Sequence, residues 1–554
     1  MLKRRDLLKL GAAGGASLVL PTGCDPRASR SDEPTTGVAL EPDTKIFQSP
    51  PTRPFVMSLP IPPAPREVAP FASECPELVG AGTKFYRIVE EERFVQVHPD
   101  LPPTSFWGYR DATVASWPFA VGPTFRGRFT ASLGNGAVVR VANQLPLAHR
   151  GFGVPFTTVH QHGGHNPARS DGFPNLDFGP GQSFDYCYPL FAPGTITPPL
   201  TNDVPSTMWY HDHILDFTRQ NVYRGLVGFF LVFDELDTGD ETTGLHLPSG
   251  AFDIPIVVQD KSFASDGSLV YDVFNHNGFL GDKFLMNGAI QPFLRVKRRK
   301  YRFRFLDGSN ARFYELFLSA ANGQTFPMDQ IATEGGLLSV PLRGIQSFRL
   351  APAVRVEVVI DFSRFSPGDE VFIENRLEQK DGRRPGEILQ RGPQLLKFIV
   401  EDAVPDASEV PDVLRPFPTV TPEEIAAAVR KTFEFNRENG AWAINGMLAG
   451  DLSFPLSVSK LNTPEIWTLR NNAGGWAHPV HIHLDFMRVL TRNGELPPLN
   501  ERDGIAKRDT VILNGNEEVE VFLRFRDFAG QFVFHCHTLE HEDMAMMARF
   551  DTFF

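Results

Sequence analysis

The chain has 554 residues, with 47 Gly, 47 Pro and a formal net charge of -12. That length exceeds what one hydrophobic core fills and points to three or four domains. The acidic balance, with no basic run interleaved with aromatics, argues against a nucleic-acid partner and otherwise only favours solubility.

At the N-terminus, Lys3-Arg4-Arg5-Asp6-Leu7-Leu8-Lys9 leads into a weakly apolar stretch from Leu10 to Leu20. This is the pattern of a twin-arginine export signal over residues 1–24 and predicts a periplasmic or extracellular protein. The stretch is too short to cross a membrane as an ordinary helix. Pro21-Thr22-Gly23-Cys24 looks like a lipoprotein cleavage site with Pro21 where Leu is usual. Cys24 is therefore a candidate lipid tether, and simple cleavage nearby is the alternative. Residues 25–69 are rich in Pro, Ser, Thr and charge and read as a tether and an extended wrap. Of the four Cys, Cys24 lies in the leader and Cys536 between two His. An oxidising compartment permits a disulfide between the remaining Cys75 and Cys187; two separate buried thiols are the alternative.

Beyond this the chain alternates apolar and polar residues in short runs between Gly and Pro, the pattern of an all-β protein. It also repeats itself. Strand-like runs ending in Asn recur at Val138–Asn143, at Tyr301–Leu306 running on to Asn310, and at Ile466–Asn471. Phe284-Leu285-Met286-Asn287-Gly288 resembles Trp442-Ala443-Ile444-Asn445-Gly446, and Trp209-Tyr210-His211-Asp212-His213 resembles Val533-Phe534-His535-Cys536-His537. Three consecutive copies of one β-sandwich are expected, at 70–235, 250–405 and 430–554. Thr421-Pro422-Glu423-Glu424 supplies a cap, a proline in the first turn and early acids, which predicts a short helix leading into the third copy. The middle copy carries only His246 and His276, far apart, and reads as a structural spacer.

Ten of the fifteen His fall into four clusters: His160-Gln161-His162, His211-Asp212-His213, His478-Pro479-Val480-His481-Ile482-His483, and His535-Cys536-His537 with His541. Residues two apart on a strand share a face, so each His-x-His pair aims two imidazoles into one cavity. Imidazole suits copper, zinc, iron and nickel. His478 and Cys536 have the opposite parity to their neighbours and face a second site, which His541 and Met546 reach from the following loop. Two His, one Cys and a nearby Met are the ligand set of a blue-copper electron-transfer site. The other eight His make a larger, all-imidazole site between the first and third copies.

Taken in this order, the four clusters resemble the copper motifs of multicopper oxidases, and the wider sequence resembles their bacterial spore-coat laccase and bilirubin oxidase branch. Asn221-Val222-Tyr223-Arg224-Gly225-Leu226-Val227-Gly228, His535-Cys536-His537-Thr538-Leu539-Glu540-His541-Glu542-Asp543, Leu101-Pro102-Pro103-Thr104 and Ala351-Pro352 carry that likeness, which runs from about residue 45 to the end. The resemblance implies cupredoxin-like Greek-key sandwiches and four coppers per chain. It assigns His478, Cys536, His541 and Met546 to the type 1 copper. His160 and His481 fall to the type 2 copper, and His162, His211, His213, His483, His535 and His537 to the type 3 pair. Asp171 and Glu542 match the acids that pass protons to bound oxygen; a turn aspartate and a structural glutamate are the plainer readings. Asp212, in the place of Cys536, marks the first copy as lacking a type 1 site. The implied activity is one-electron oxidation of a small aromatic donor (phenol, aminophenol or bilirubin-like) coupled to reduction of O2 to water. The protein is expected to be a monomer.

Other readings fit less of the chain. Structural zinc asks for four ligands, commonly Cys-rich. A blue-copper carrier leaves eight His unexplained. The alternative kept is a metallo-oxidase or copper-resistance protein acting on cuprous ions, against which only Met544, Met546 and Met547 cluster among ten Met. Trp476 resembles an arrangement in bilirubin oxidases, though a core indole is as good a reading. His98, His149, His165, His246 and His276 fit no motif.

Overall fold

A strand with apolar residues at every second position has one face to bury, and two such faces must meet. In the computed structural model, which describes residues 46–554 apart from 79, 131–133, 192–202, 439 and 448–451, this happens three times. Strands between Lys84 and Phe233 form two four-stranded sheets. Those between Asp253 and Glu401 form an eight-stranded and a six-stranded sheet, and those between Val429 and Phe553 form two five-stranded sheets. Each pair encloses its own apolar core, built on Trp107, Tyr109 and Tyr186 in the first copy, Phe303, Phe305 and Leu396 in the second, and Trp467, Leu469 and Phe534 in the third. The fold is all-β, three consecutive cupredoxin-like Greek-key sandwiches, and Thr44–Phe554 make one compact unit. The twin-arginine pattern and Cys24 lie outside the described residues.

The internal repeat is physical. In each copy a central strand runs parallel to an earlier one and ends on a polar residue: Asn143 beside Glu90, Asp307 beside Val258, Asn471 beside Phe435. That side chain then accepts the backbone N–H two residues on, from Leu145, Ser309 and Ala473. In the middle copy the sequence pattern pointed to Asn310, and the structure corrects this: the strand is Lys300–Asp307 and Asp307 takes the turn. Asn310 instead donates to the Arg219 carbonyl and to Glu540. The two Asn-Gly pairs are hairpin turns with left-handed backbones, φ 50° and 84° at Asn287-Gly288 and 51° and 70° at Asn445-Gly446. Their Asn side chains accept from Val257 and Glu434 on the neighbouring strand.

Residues 46–69 belong to none of these strands, turn at Pro54–Phe55 and make one β-bridge from Ser58 to Phe293, and their backbone is tied to two copies. Phe55 and Leu59 donate to Gln291 and Phe293 of the middle copy, and Val68 donates to Phe85 of the first. The helix near Thr421 is Pro422–Ala427, closed by a full capping box between Thr421 and Glu424.

Cys75 and Cys187 are joined by a disulfide, with Cα atoms 5.6 Å apart and a sequence separation of 112. Closing a loop of that size removes about 5 kcal/mol of chain entropy from the unfolded state in the loop-closure model. The Cys75→Ala/Cys187→Ala protein is expected to fold and to unfold several degrees lower in calorimetry. An unchanged midpoint would show that the first copy holds without the clasp.

Candidate metal centre

Four strand ends meet between the first and third copies. In the first, Val159–His162 pairs with Thr207–Asp212 so that His160 lies opposite His211. In the third, His478–Ile482 pairs with Gly530–Cys536 so that His481 lies opposite His535. His213 and His537 follow one residue past the paired strands, held by equivalent bonds: His213 N–H to the Thr158 carbonyl, His537 N–H to that of Pro479. Strand alternation thus turns His481, His483, His535 and His537 to one side. It turns Cys536, opposite Val480, into the interior of the third sandwich.

The eight imidazoles are buried and in mutual contact. The His160 ring stacks on His483 at 3.9 Å and His162 on His481 at 3.7 Å, while His537 lies 5.1 Å from His162 and 5.4 Å from His211. Nε2 atoms of His213 and His483 each approach Nε2 of His535 to 3.2 Å. Five of these rings spend Nδ1 on a protein oxygen. His160 donates to the Asp171 carbonyl, His211 to that of Asp212, His481 to that of Asp509, His535 to that of Cys536, and His483 to the Asp171 carboxyl. That fixes the tautomer and leaves Nε2 for the cavity, the arrangement metal-binding histidines need. Burial, reinforced by neighbouring rings, holds the imidazoles of His160, His162, His481, His483 and His537 well below their ordinary value, with His211 pushed down to about 3 and His213 to about 4.

The second cluster lies one residue away. Cys536 Sγ is 3.4 Å from His478 Nδ1 and 3.6 Å from His541 Nδ1, and the two nitrogens are 3.2 Å apart. His541 is presented by the short helix Leu539–Asp543. Met546 is fully buried in the same core, and its carbonyl accepts the Cys536 N–H.

Two carboxyls reach the histidine cavity. Asp171, which closes the 3-10 turn Ala168–Ser170, puts Oδ2 2.7 Å from His483 Nδ1, and burial holds its carboxyl well above the usual range. Glu542 lies 3.1 Å from His535 Nδ1 and 3.6 Å from His213 Nδ1. Burial would raise its carboxyl, but the facing His535 and His213 rings outweigh it and hold the group below its ordinary value.

Several contributors carry no sequence signal. Asp509 sits 3.2 Å from His162 Nε2 and is gripped by Arg355 of the middle copy, whose guanidinium also donates to the Thr207 carbonyl of the first. His165, outside every motif, lies 3.4 Å from Asp485 and 3.7 Å from Asp527 of the third copy. Trp442 packs 4.0 Å from the His541 ring, and Asn277 of the middle copy offers its carbonyl to His541 Nε2 at 3.4 Å. Each is one polar or aromatic residue on an ordinary strand or loop, recruited by tertiary packing.

Models of the multicopper oxidase family match residues 121–237 and 421–553. A laccase of Bacillus stratosphericus is 32% identical over 90% of this chain and 98% of its own length. A bilirubin oxidase of Albifimbria verrucaria is 31% identical over 98% of this chain and 88% of its own. The chain belongs to the multicopper oxidase family. Among solved structures, a multi-copper oxidase from Pediococcus acidilactici superposes with a TM-score of 0.74 at 25% identity, covering 93% of this chain and 94% of that one. McoA from Aquifex aeolicus gives 0.72 at 26% identity, covering 90% and 99%. Membership makes the protein a laccase-like oxidoreductase and copper its metal. The residues present fit that metal. Nε2 of His160, His211, His478 and His481, Nδ1 of His162 and both nitrogens of His537 are buried with no hydrogen-bond partner. An orphaned buried polar atom costs about 1–3 kcal/mol, so this concentration of them marks a site built around cations.

The His165 clasp yields a pH prediction. Burial alone would lower its imidazole, but Asp485 and Asp527 raise it to about 9. A raised folded value contributes stability that is complete below about 6.5, the unfolded value, and is lost as pH climbs through 9. His165→Gln is expected to cost about 2 kcal/mol near neutral pH and much less above pH 9. Melting temperatures across that range read it directly; a parallel, pH-independent offset would show that the ring acts by packing alone.

Proposed function

We propose that the protein is a four-copper, laccase-like oxidase. It takes single electrons from phenolic, aminophenolic or bilirubin-like donors and passes four of them, with four protons, to O2 to give two waters. His478, Cys536, His541 and Met546 would hold the type 1 copper. His160 and His481 would hold the type 2 copper, and His162, His211, His213, His483, His535 and His537 the type 3 pair. Bound there, copper supplies one-electron acceptance at the cysteine and O2 reduction in the histidine cavity. The observation that carries this reading is the linkage itself: Cys536 stands between two residues of the eight-histidine cavity while its sulfur meets His478 and His541. The relatives named laccase and bilirubin oxidase support the donor class.

The chain's own groups have separable tasks. The Cys536 backbone is the shortest covalent route between the clusters. Asp171, its carboxyl pushed well above the usual range by burial, accepts the His483 Nδ1–H at Oδ2 and has an unpartnered Oδ1 where a proton can be carried. Glu542, held ionised, accepts one beside His213 and His535. Together they are placed to relay protons to reducing O2. The twin-arginine pattern supports export, and Cys24 a lipid tether where it is modified; the protein is taken as a monomer. The sandwich limits 70–235, 250–405 and 430–554 are taken as domain limits on the same reading.

The deciding experiment is a visible spectrum of the copper-loaded protein with oxygen uptake on a simple phenol. A blue band bleached by the phenol and restored by air supports the circuit; no blue band in fully loaded protein would overturn it. Faster oxidation of cuprous ions than of any organic donor would shift the reading to a metallo-oxidase. Cys536→Ser is expected to fold, lose the blue band and lose donor oxidation by at least ~1000-fold, because no route for the first electron remains. Glu542→Gln is expected to keep the blue band and slow reoxidation by air ~100-fold, the usual scale of a lost proton-transfer group. Unchanged reoxidation with an unchanged pH profile would remove Glu542 from the relay.

A further inference from the structure

Asp171 touches both halves of the histidine cavity, through different atoms. Its carbonyl accepts the His160 Nδ1–H of the first copy, and its carboxyl meets His483 of the third. The turn that presents it is too short to hold that position by itself. Ala168–Ser170 is a single 3-10 turn. It has one backbone bond of 2.8 Å, from the Ser170 N–H to the Pro167 carbonyl, and one of 3.4 Å, from the Asp171 N–H to that of Ala168. Such short pieces have poor hydrogen-bond geometry and take their shape from what they are tied to. On the far side the chain leaves through Gly172 at φ 76°, where a Cβ would stand 2.5 Å from the Val159 carbonyl.

The tie is a strand edge. Ser183–Pro189 is the outermost strand of its sheet, so every second backbone N–H points away from the ladder and needs another acceptor. For Cys187 that acceptor is Ser170 Oγ, at 2.9 Å, and both residues are fully buried. Beside it, Arg169 Nη2 lies 2.7 Å from Cys187 Sγ, and the same guanidinium reaches Glu77 at 3.8 Å and Glu74 at 3.9 Å. Those two acids flank Cys75, the other half of the disulfide. The strand that seats Ser170 is therefore cross-linked to the segment that holds Arg169. Two consecutive side chains of the turn, one through its hydroxyl and one through its guanidinium, are fastened to the two ends of one covalent bridge, and Asp171 is the next residue.

We propose that Ser170 is a positioning residue for oxygen reduction, and that the Cys75–Cys187 disulfide fixes the strand on which it is seated. This rests on the relay reading of Asp171 and extends it. Ser170 exchanges no proton and no electron. It sets where Asp171 meets His160 and His483, and so acts on the histidine cavity while leaving electron entry at the cysteine cluster of the third copy untouched.

The test uses the copper-loaded full chain and separates the two half-reactions by stopped flow. Without air, a phenol bleaches the blue band; readmitted air restores it. Ser170→Ala is expected to bleach at the wild-type rate and to recover about tenfold more slowly, within the ~100-fold that a misplacement of about 1 Å can cost. Its type 2 copper signal in electron paramagnetic resonance is expected to shift while the blue band stays, because the His160 ring is anchored on the Asp171 carbonyl. Ser170→Thr, which keeps the hydroxyl, is expected to restore both. Cys75→Ala/Cys187→Ala leaves Ser170 in place and guards against a folding defect in the serine variant. It is expected to slow recovery about threefold with bleaching unchanged. Recovery at the wild-type rate in either folded variant would overturn the proposal, as would equal slowing of bleaching and recovery. Failure of the relay reading shows separately: Asp171→Asn would then recover as fast as wild type. A slow Asp171→Asn beside a wild-type Ser170→Ala would remove the positioning role alone.

Discussion

The period-two alternation of one strand end sets the chemistry of this molecule. His535, Cys536 and His537 are consecutive, so neighbouring side chains must leave on opposite sides. Because Cys536 faces the packed interior of the third sandwich, His535 and His537 are driven out toward the first. Two clusters with different donor sets are therefore kept one residue apart by backbone geometry alone. A slip of one residue in the pairing of His478–Ile482 with Gly530–Cys536 would exchange the faces and destroy both. Register is secured by the dense core of Phe534, Val480 and Ile482 on one side and by the carbonyl anchors of the imidazoles on the other.

The histidine cavity is shared between copies that also meet through apolar clusters, Phe173 against Val533 and Met547 among them, and polar clasps fix its alignment. Asp171 of the first copy holds His483 of the third, and Arg355 of the middle copy bonds Asp509 of the third and the Thr207 carbonyl of the first. Arg302 and Arg304 do the same between middle and first copies through Asp237, Asp253, Glu357 and Ser206. Such buried pairs are poor sources of net stability, but removing one partner strands a charge at a cost of about 3–5 kcal/mol. They admit one docking geometry and penalise all others, which suits a site that needs eight rings from two sandwiches to converge.

What was legible in the sequence follows from this division of labour. The His-x-His spacing, the odd parity of Cys536 and the Asn-Gly hairpins are local rules, so the three sandwiches and both donor sets can be read from a string of residues. The clasps cannot. Tyr301-Arg302-Phe303-Arg304-Phe305 has the alternation of a strand with one wet face, yet both arginines are fully buried, because that face meets the first copy instead of water. Asp509, His165 and Trp442 are invisible for the same reason: each gains its role from a residue of another sandwich or from a distant part of its own. The misplacement of the turn at Asn310 has a simpler cause. An Asp closes the strand as well as an Asn, since either side chain can accept the backbone N–H two residues on.

The first copy shows what the cysteine cluster requires beyond one cysteine. Its strand ends repeat the third copy bond for bond: Thr158 and Pro479 receive the trailing histidines, and Leu226 and Met546 receive the N–H of Asp212 and Cys536. The positions matching His478 and Cys536 are Thr157 and Asp212, and both are absorbed by structure. Thr157 donates to Glu90, and Asp212 accepts from Thr158 and Asn221. The interior that holds a soft donor set in one copy is filled by a closed hydrogen-bond network in the other, where burial holds the Asp212 carboxyl well above its ordinary value. Restoring a cysteine at Asp212 alone would therefore create no second cluster. It would leave the Thr158 N–H without its carboxylate acceptor, in a core that supplies no imidazole for the sulfur to meet.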